Sequence, residues 1–111
     1  MVRRRRSRRR TAQRGNRRWL VTHANGPVDR GQVTLYALST CVWCKKTRAL
    51  LEELGVAYDY EYVDLALPAR ADEIDRLLQS AFGRASYPAL LTPRGNVQGY
   101  RPDEIKSLLG F

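Results

Sequence analysis

Cysteine and histidine are scarce in this chain of 111 residues: it has two cysteines, Cys41 and Cys44, and one histidine, His23. A structural zinc site usually takes four ligands, as two cysteine pairs or as a cysteine pair with two histidines. Two thiols and one imidazole fall short of that set. Acids are missing from residues 1–18. No apolar run approaches the roughly 18 residues that a membrane span requires. No apolar stretch follows the basic start, as it would in a secretory signal, and that start lacks the amphipathic pattern of a transit peptide. These absences lead us to expect a cytoplasmic protein with no membrane partner. Thiols there are kept reduced, so a close cysteine pair is expected to be catalytic or metal-binding rather than a staple. The length points to one domain, large enough to bury a core without cross-links.

What is plentiful is arginine, and it is gathered at one end. The formal net charge is +9, yet residues 1–18 hold ten arginines while residues 19–111 hold ten Lys/Arg against eleven Asp/Glu. The basicity therefore belongs to the tail. Residues 1–18 are expected to be disordered, because like charges repel and nothing apolar is there to bury. Arginine pairs bidentately with phosphate, so the tail suits nucleic acid, anionic lipid or an acidic protein, with salt-dependent binding. Trp19 is the single stacking aromatic at its end, which does not indicate sequence-specific RNA recognition. A rival reading follows, in which the tail binds nucleic acid or an acidic partner and the cysteines are secondary. Deleting the tail separates that reading from a redox one. The plain alternative is an inert extension.

Residues 19–31 are expected to form a short arm and linker. "WLVTH" (19–23) reads as a short strand or packed arm, and "ANGPVDRG" (24–31) as turn. "VTLYAL" (33–38) is a short run of β-formers and predicts a buried strand. From Val42 to Leu54 the period becomes helical, with Thr47, Leu50, Leu51 and Leu54 on one face and Gly55 as the stop. "VAYDYEYVD" (56–64) alternates, with Tyr58, Tyr60 and Tyr62 on one face. Asp59 and Glu61 fall on the other, which is expected to be partly solvated. Pro68 opens a helix to about Phe82, stopped by Gly83. "PALLT" (88–92), "PRGN" (93–96) and "VQGY" (97–100) predict a hairpin. Pro102 opens a last helix to about Leu109. The order β-α-β-α-β-β-α predicts an α/β fold: a mixed four-stranded sheet flanked by helices, over residues 32–111.

Both cysteines fall at the first strand-to-helix junction, and sites form at the carboxyl ends of strands in such sheets. Cys41 starts the helix and Cys44 lies one turn on, within disulfide reach. The two are not equivalent. Free N–H groups and the helix dipole favour an anionic sulfur at Cys41, with Lys45 and Lys46 adding positive charge. Cys44 is more shielded. Cys41 is therefore expected to attack a disulfide and Cys44 to resolve the mixed disulfide. Other readings of the pair are two inert buried thiols, or an iron–sulfur cluster bridged between two protomers through Cys41 of each. Trp43 stands exposed between them and offers a docking surface, or else packs on a neighbouring loop.

"CVWC" at the junction and "SYP" (86–88) opening the third strand resemble the glutaredoxin branch of the thioredoxin-like fold, over about residues 32–110. The resemblance implies that Pro88 is cis and faces the cysteines. It implies that the backbone of Tyr87 pairs with substrate as an added strand. Glutathione-using members usually carry Lys three residues before the first cysteine; here Leu38 stands there. Gln98 replaces the first glycine of their late Gly-Gly turn. "GYRPDEI" is similar instead to the motif of glutaredoxin-like redoxins that reduce ribonucleotide reductase and draw on a thioredoxin reductase. The run from Ala37 to Leu65 also resembles archaeal glutaredoxin-like proteins, some fed by ferredoxin-dependent reductases.

The implied activity is thiol–disulfide oxidoreduction of protein disulfides with no bound cofactor. Electrons would come from glutathione, a thioredoxin reductase or a ferredoxin-dependent reductase. The expected site is Cys41 and Cys44, with Trp43, Lys45, Tyr87, Pro88, Gly99, Tyr100 and Asp103 binding substrate. Lys45, Lys46, Arg84 and Arg101 are cations available to glutathione's carboxylates, and Asp103 or Glu104 to its ammonium group. Gly99 lets a partner's backbone approach. A monomer is expected.

Overall fold

A computed structural model describes residues 21–111. The elements run β1 (Val21–Ala24), β2 (Thr34–Ala37), α1 (Val42–Glu53), β3 (Tyr58–Tyr62), a 3-10 turn (Val63–Leu65), α2 (Pro68–Phe82), β4 (Ala89–Thr92), β5 (Gly95–Gln98) and α3 (Pro102–Leu108). The tail at 1–18, expected to be disordered, lies outside the described residues.

The sheet has five strands in the order β1-β3-β2-β4-β5, where four were expected. The addition is β1, which pairs antiparallel with β3 from Val21 opposite Glu61 to Ala24 opposite Tyr58. Four residues with two polar side chains carry little periodic signal, and tertiary pairing makes them a strand. The segment after β1 is also held down. Val28 donates to the Gly55 carbonyl at 2.9 Å, and Ala57 donates to the Val28 carbonyl at 2.9 Å. Gly26 belongs to this contact, since a Cβ there would sit 2.4 Å from the Gly55 oxygen.

β2 is the central strand, parallel to β3 and antiparallel to β4. Its side chains alternate between two cores. Val33, Leu35 and Ala37 join Leu50 and Leu51 of α1 and Ile105 and Leu109 at α3. Tyr36 joins Ile74 and Leu78 of α2 on the other face. Burying each such leucine or isoleucine stabilises by roughly 1.5–3 kcal/mol. α2 has the bounds its Pro and Gly signals predict, with Gly83 left-handed at φ 87°.

Two expectations need correction. Glu61 is not on a solvated face: it is 1% exposed, and Arg70 of α2 holds it with Nη2 to Oε1 at 2.8 Å and Nε to Oε2 at 3.0 Å. A buried carboxylate needs such a fork. The hairpin turn is also tighter than "PRGN". Thr92 pairs with Gly95 directly, so Pro93 and Arg94 alone make the turn and β5 ends at Gln98. Gly99 and Tyr100, expected within the strand, lie beyond it.

Candidate active site

The carboxyl end of β2 runs through Leu38, Ser39 and Thr40 into Cys41, which is the N-cap of α1 with extended backbone (φ −86°, ψ 120°). An N-cap normally offers a side-chain acceptor to the helix's free amides. Here the acceptor is sulfur: Cys41 Sγ takes the backbone N–H of Cys44 at 3.1 Å. Cys41 is half-buried, Cys44 is buried, and both are free thiols. Burial pushes the Cys44 thiol up to about 12, and its contact with Cys41 adds to that. A buried thiolate would lack solvation, so Cys44 holds its proton.

Strand register builds the rest of the site. β4 runs antiparallel to β2 with Ala89 opposite Tyr36. One step back puts Pro88 beside the end of β2, ahead of the cysteine loop. The Tyr87–Pro88 bond is cis. The Pro88 carbonyl accepts the Gly99 amide at 2.8 Å, which ties the exit of β5 to the same end. Gly99 has φ 89°, a backbone few other residues adopt. It turns the chain so that Tyr100 stacks on Trp43, with centroids 6.0 Å apart and planes 24° apart. Lys46 Nζ lies 5.2 Å from the Trp43 ring centroid, a cation–π contact. Trp43 still leaves 56% of its surface open.

Cys41, Cys44, Trp43, Pro88, Gly99 and Tyr100 thus converge at one end of the sheet. Tyr87 is half-buried, and its hydroxyl reaches Asp75 of α2 at 3.4 Å. Burial pushes that phenol up to about 12. Lys45 and Asp103 are exposed on the first turns of α1 and α3. Neither side chain makes a hydrogen bond or ion pair among the described residues. His23 is set apart, with Nδ1 2.6 Å from Asp59 Oδ1 toward the amino end of β3. Leu38, at the place where glutathione-using members usually carry a lysine, packs against the core beneath α2.

Two further residues hold the site. Sequence marks Gln98 only as a departure from a glycine. Its Nε2 donates to the Arg84 carbonyl at 2.9 Å and to that of Ser86 at 3.5 Å, fastening the segment before Pro88 to β5. Arg84, Ser86, Gln98, Gly99, Tyr100 and Arg101 line a cleft of about 320 Å³ beside it. Asp64, which the sequence places at the end of a strand, is the second. Its carboxylate takes the Ser39 amide at 2.9 Å and the Ser39 hydroxyl at 2.5 Å. These bonds, the hydroxyl's first, hold the Asp64 carboxyl below its ordinary range. The signal for Asp64 was the β2–β3 register, which a single sequence does not print.

The glutaredoxin family model matches residues 33–93, more than half of the chain and including both cysteines and Pro88. The chain belongs to the glutaredoxin family. Members of this family are thiol–disulfide oxidoreductases. A glutaredoxin from Methanosarcina mazei Go1 is similar at 40% identity and TM-score 0.77, covering 82% of this chain and 88% of that one. The glutaredoxin-like NrdH-redoxin from Escherichia coli, described as having a thioredoxin-like activity profile, is similar at 27% identity and TM-score 0.59, over 70% of this chain and 95% of that one. Bovine glutaredoxin-1 is 31% identical over 65 residues, 58% of this chain, and the match spans 61% of the bovine protein. This glutaredoxin therefore has the thioredoxin-like α/β fold, with β1 as a fifth strand.

Proposed function

We propose that this glutaredoxin reduces protein disulfides through Cys41 and Cys44 as one dithiol. The observation that carries the reading is their asymmetry: a half-exposed N-cap sulfur that accepts an amide N–H, and a buried thiol raised to about 12. Cys41, as thiolate, attacks one sulfur of a client disulfide. A Cys41–client disulfide forms, and the client's other sulfur leaves as thiolate and takes a proton. Cys44 then gives up its proton and attacks Cys41 Sγ. The second client thiol departs, and two electrons have passed from the dithiol to the client. No bound cofactor is required.

Trp43 and Tyr100 form the aromatic wall on which a client docks. The client strand lies along Tyr87 and Pro88, and Gly99 gives it room. Lys45 and Asp103 lie at the rim and meet charged groups of the client. We place the protein in the cytoplasm, acting as a monomer. For the donor, Leu38 and Gln98 favour a reductase over glutathione, because the first is a half-buried apolar side chain that offers no cation and the second is engaged with loop carbonyls. The likeness to NrdH-redoxin supports the same choice and makes ribonucleotide reductase a candidate client. The likeness to an archaeal glutaredoxin keeps a ferredoxin-dependent reductase as the second donor to test.

The experiment is reduction of the oxidised protein, followed by tryptophan fluorescence. Millimolar glutathione is compared with NADPH plus a thioredoxin reductase and with a ferredoxin-dependent reductase. Reduction by either reductase and not by glutathione is expected. Fast reduction by glutathione alone would overturn the donor assignment. Full disulfide reductase activity in Cys41→Ser would overturn the dithiol mechanism.

A further inference from the structure

Between β2 and Cys41 the chain crosses three residues with little to hold them. Leu38 packs inward, and its carbonyl accepts the Cys41 amide at 3.2 Å. Thr40 is exposed. Among the described residues, the side-chain hydrogen bonds of Leu38–Thr40 all come from one pair. Asp64 Oδ1 accepts the Ser39 amide at 2.9 Å and Oδ2 accepts the Ser39 hydroxyl at 2.5 Å.

Strand register explains why this aspartate is there. β2 and β3 are parallel, with Ala37 opposite Tyr62. Two residues further on, Ser39 comes abreast of Asp64. At that point β3 breaks into the turn Val63–Leu65, closed by the Ala66 amide on the Val63 carbonyl at 3.2 Å. The turn swings the carboxylate across to the neighbouring chain. It buries little beyond Val63, and Leu65 is 65% exposed. Asp64 is thus poorly placed to hold the fold together and well placed to hold the cysteine loop.

We propose that Asp64 is a positioning residue for the nucleophile: its carboxylate grips both polar atoms of Ser39 and so fixes the loop that presents Cys41 to a disulfide. Attack along the S–S axis tolerates little misplacement, and a displacement of about 1 Å can cost on the order of 100-fold in rate. The effect belongs to the chemical step, not to client docking, because Trp43 and Tyr100 lie on the β5 side of Cys41 and Asp64 on the β3 side. The proposal rests on Cys41 being the nucleophile.

The test uses the full chain with Asp64→Ala, Asp64→Asn, Ser39→Ala and the Asp64→Ala/Ser39→Ala double variant. Turnover on a protein disulfide is read as kcat and KM, beside the thermal midpoint. Asp64→Ala should lower kcat about tenfold and change KM less than about twofold, within the cost of a misplaced nucleophile. Ser39→Ala, which removes one of the two bonds, should lower kcat about threefold, and the double variant should be no worse than Asp64→Ala, since the two act as one unit. Asp64→Asn keeps an acceptor for the Ser39 amide and should recover most of the rate. The proposal fails if Asp64→Ala keeps kcat within about twofold of wild type, if its loss lies in KM, or if the two single losses multiply in the double variant. Should Asp64→Ala not fold, Ser39→Ala decides, and an unchanged kcat there overturns the assignment. Activity that survives Cys41→Ser would instead refute the dithiol reading, and this proposal with it.

Discussion

Cys44 offers a quantity that can be worked from its surroundings. The perturbation is Cys41→Ser, which leaves Cys44 as the one thiol and leaves its burial, the largest cause of its shift, in place. An ordinary cysteine of pKa about 8.5 is about 9% thiolate at pH 7.5. A thiol at about 12 is ionised roughly 3,000-fold less at that pH, which is the upper bound here because Cys41→Ser removes the Cys41 contact that adds to the shift. The more basic thiolate is a better nucleophile, and a Brønsted slope near 0.45 returns about 40-fold. Iodoacetamide should therefore alkylate Cys44 up to roughly 80-fold more slowly than a free cysteine peptide, and burial adds steric exclusion to that. The assay is alkylation followed by peptide mapping, from pH 7 to 11. The rate should climb about tenfold per pH unit and show no plateau below pH 10. Alkylation within fivefold of the free peptide at pH 7.5, or a plateau near pH 9, would refute the buried, proton-holding Cys44.

The same thiol should make the reduced protein sensitive to alkali. The unfolded thiol ionises near its ordinary value while the folded one keeps its proton to about 12, so rising pH favours unfolding. Urea unfolding of the reduced protein should weaken between about pH 9 and about pH 10 by up to about 1.4 kcal/mol per pH unit, and Cys44→Ala should remove that slope; at higher pH the raised Tyr58 and Tyr87 phenols add a slope of their own. Arg70→Met strands the buried Glu61 carboxylate and should cost about 3–5 kcal/mol, whereas Glu61→Leu with Arg70→Met should return to within about 1 kcal/mol of wild type by denaturant titration. Gly26→Ala drives a methyl to 2.4 Å from the Gly55 oxygen and should lower stability by about 1–3 kcal/mol. An unchanged midpoint there would mean that the arm after β1 is not seated on residues 55–57.

Much of this molecule was legible where local chemistry decides. The bounds of α2 follow from Pro68 and Gly83, and α1 follows from the Thr47, Leu50, Leu51 face and the stop at Gly55. The cysteine pair at a strand–helix junction pointed to the candidate site. The misses are matters of pairing between elements. "WLVTH" left strand and packed arm both open, and only the pairing with β3 decides for the strand. Alternation placed Glu61 opposite the tyrosines but could not supply Arg70, nine residues away on another element. The hairpin slipped by two residues because "PRGN" fits a four-residue turn as well as a two-residue one, and register settles it. Asp64 and Gln98 matter through a loop backbone they touch across the sheet end, a relation that exists only once β2, β3, β4 and β5 are ordered.

The central claim is that Cys41 is the sulfur that meets the client and Cys44 the sulfur that releases it. The most direct measurement is capture of the intermediate. Cys44→Ser is reduced, mixed with a protein carrying one accessible disulfide, quenched with acid and mapped by mass spectrometry. A disulfide between Cys41 and the client, stable without Cys44 and absent in Cys41→Ser, is the predicted result. The converse, in which Cys41→Ser traps the client through Cys44 while Cys44→Ser traps nothing, would contradict the account.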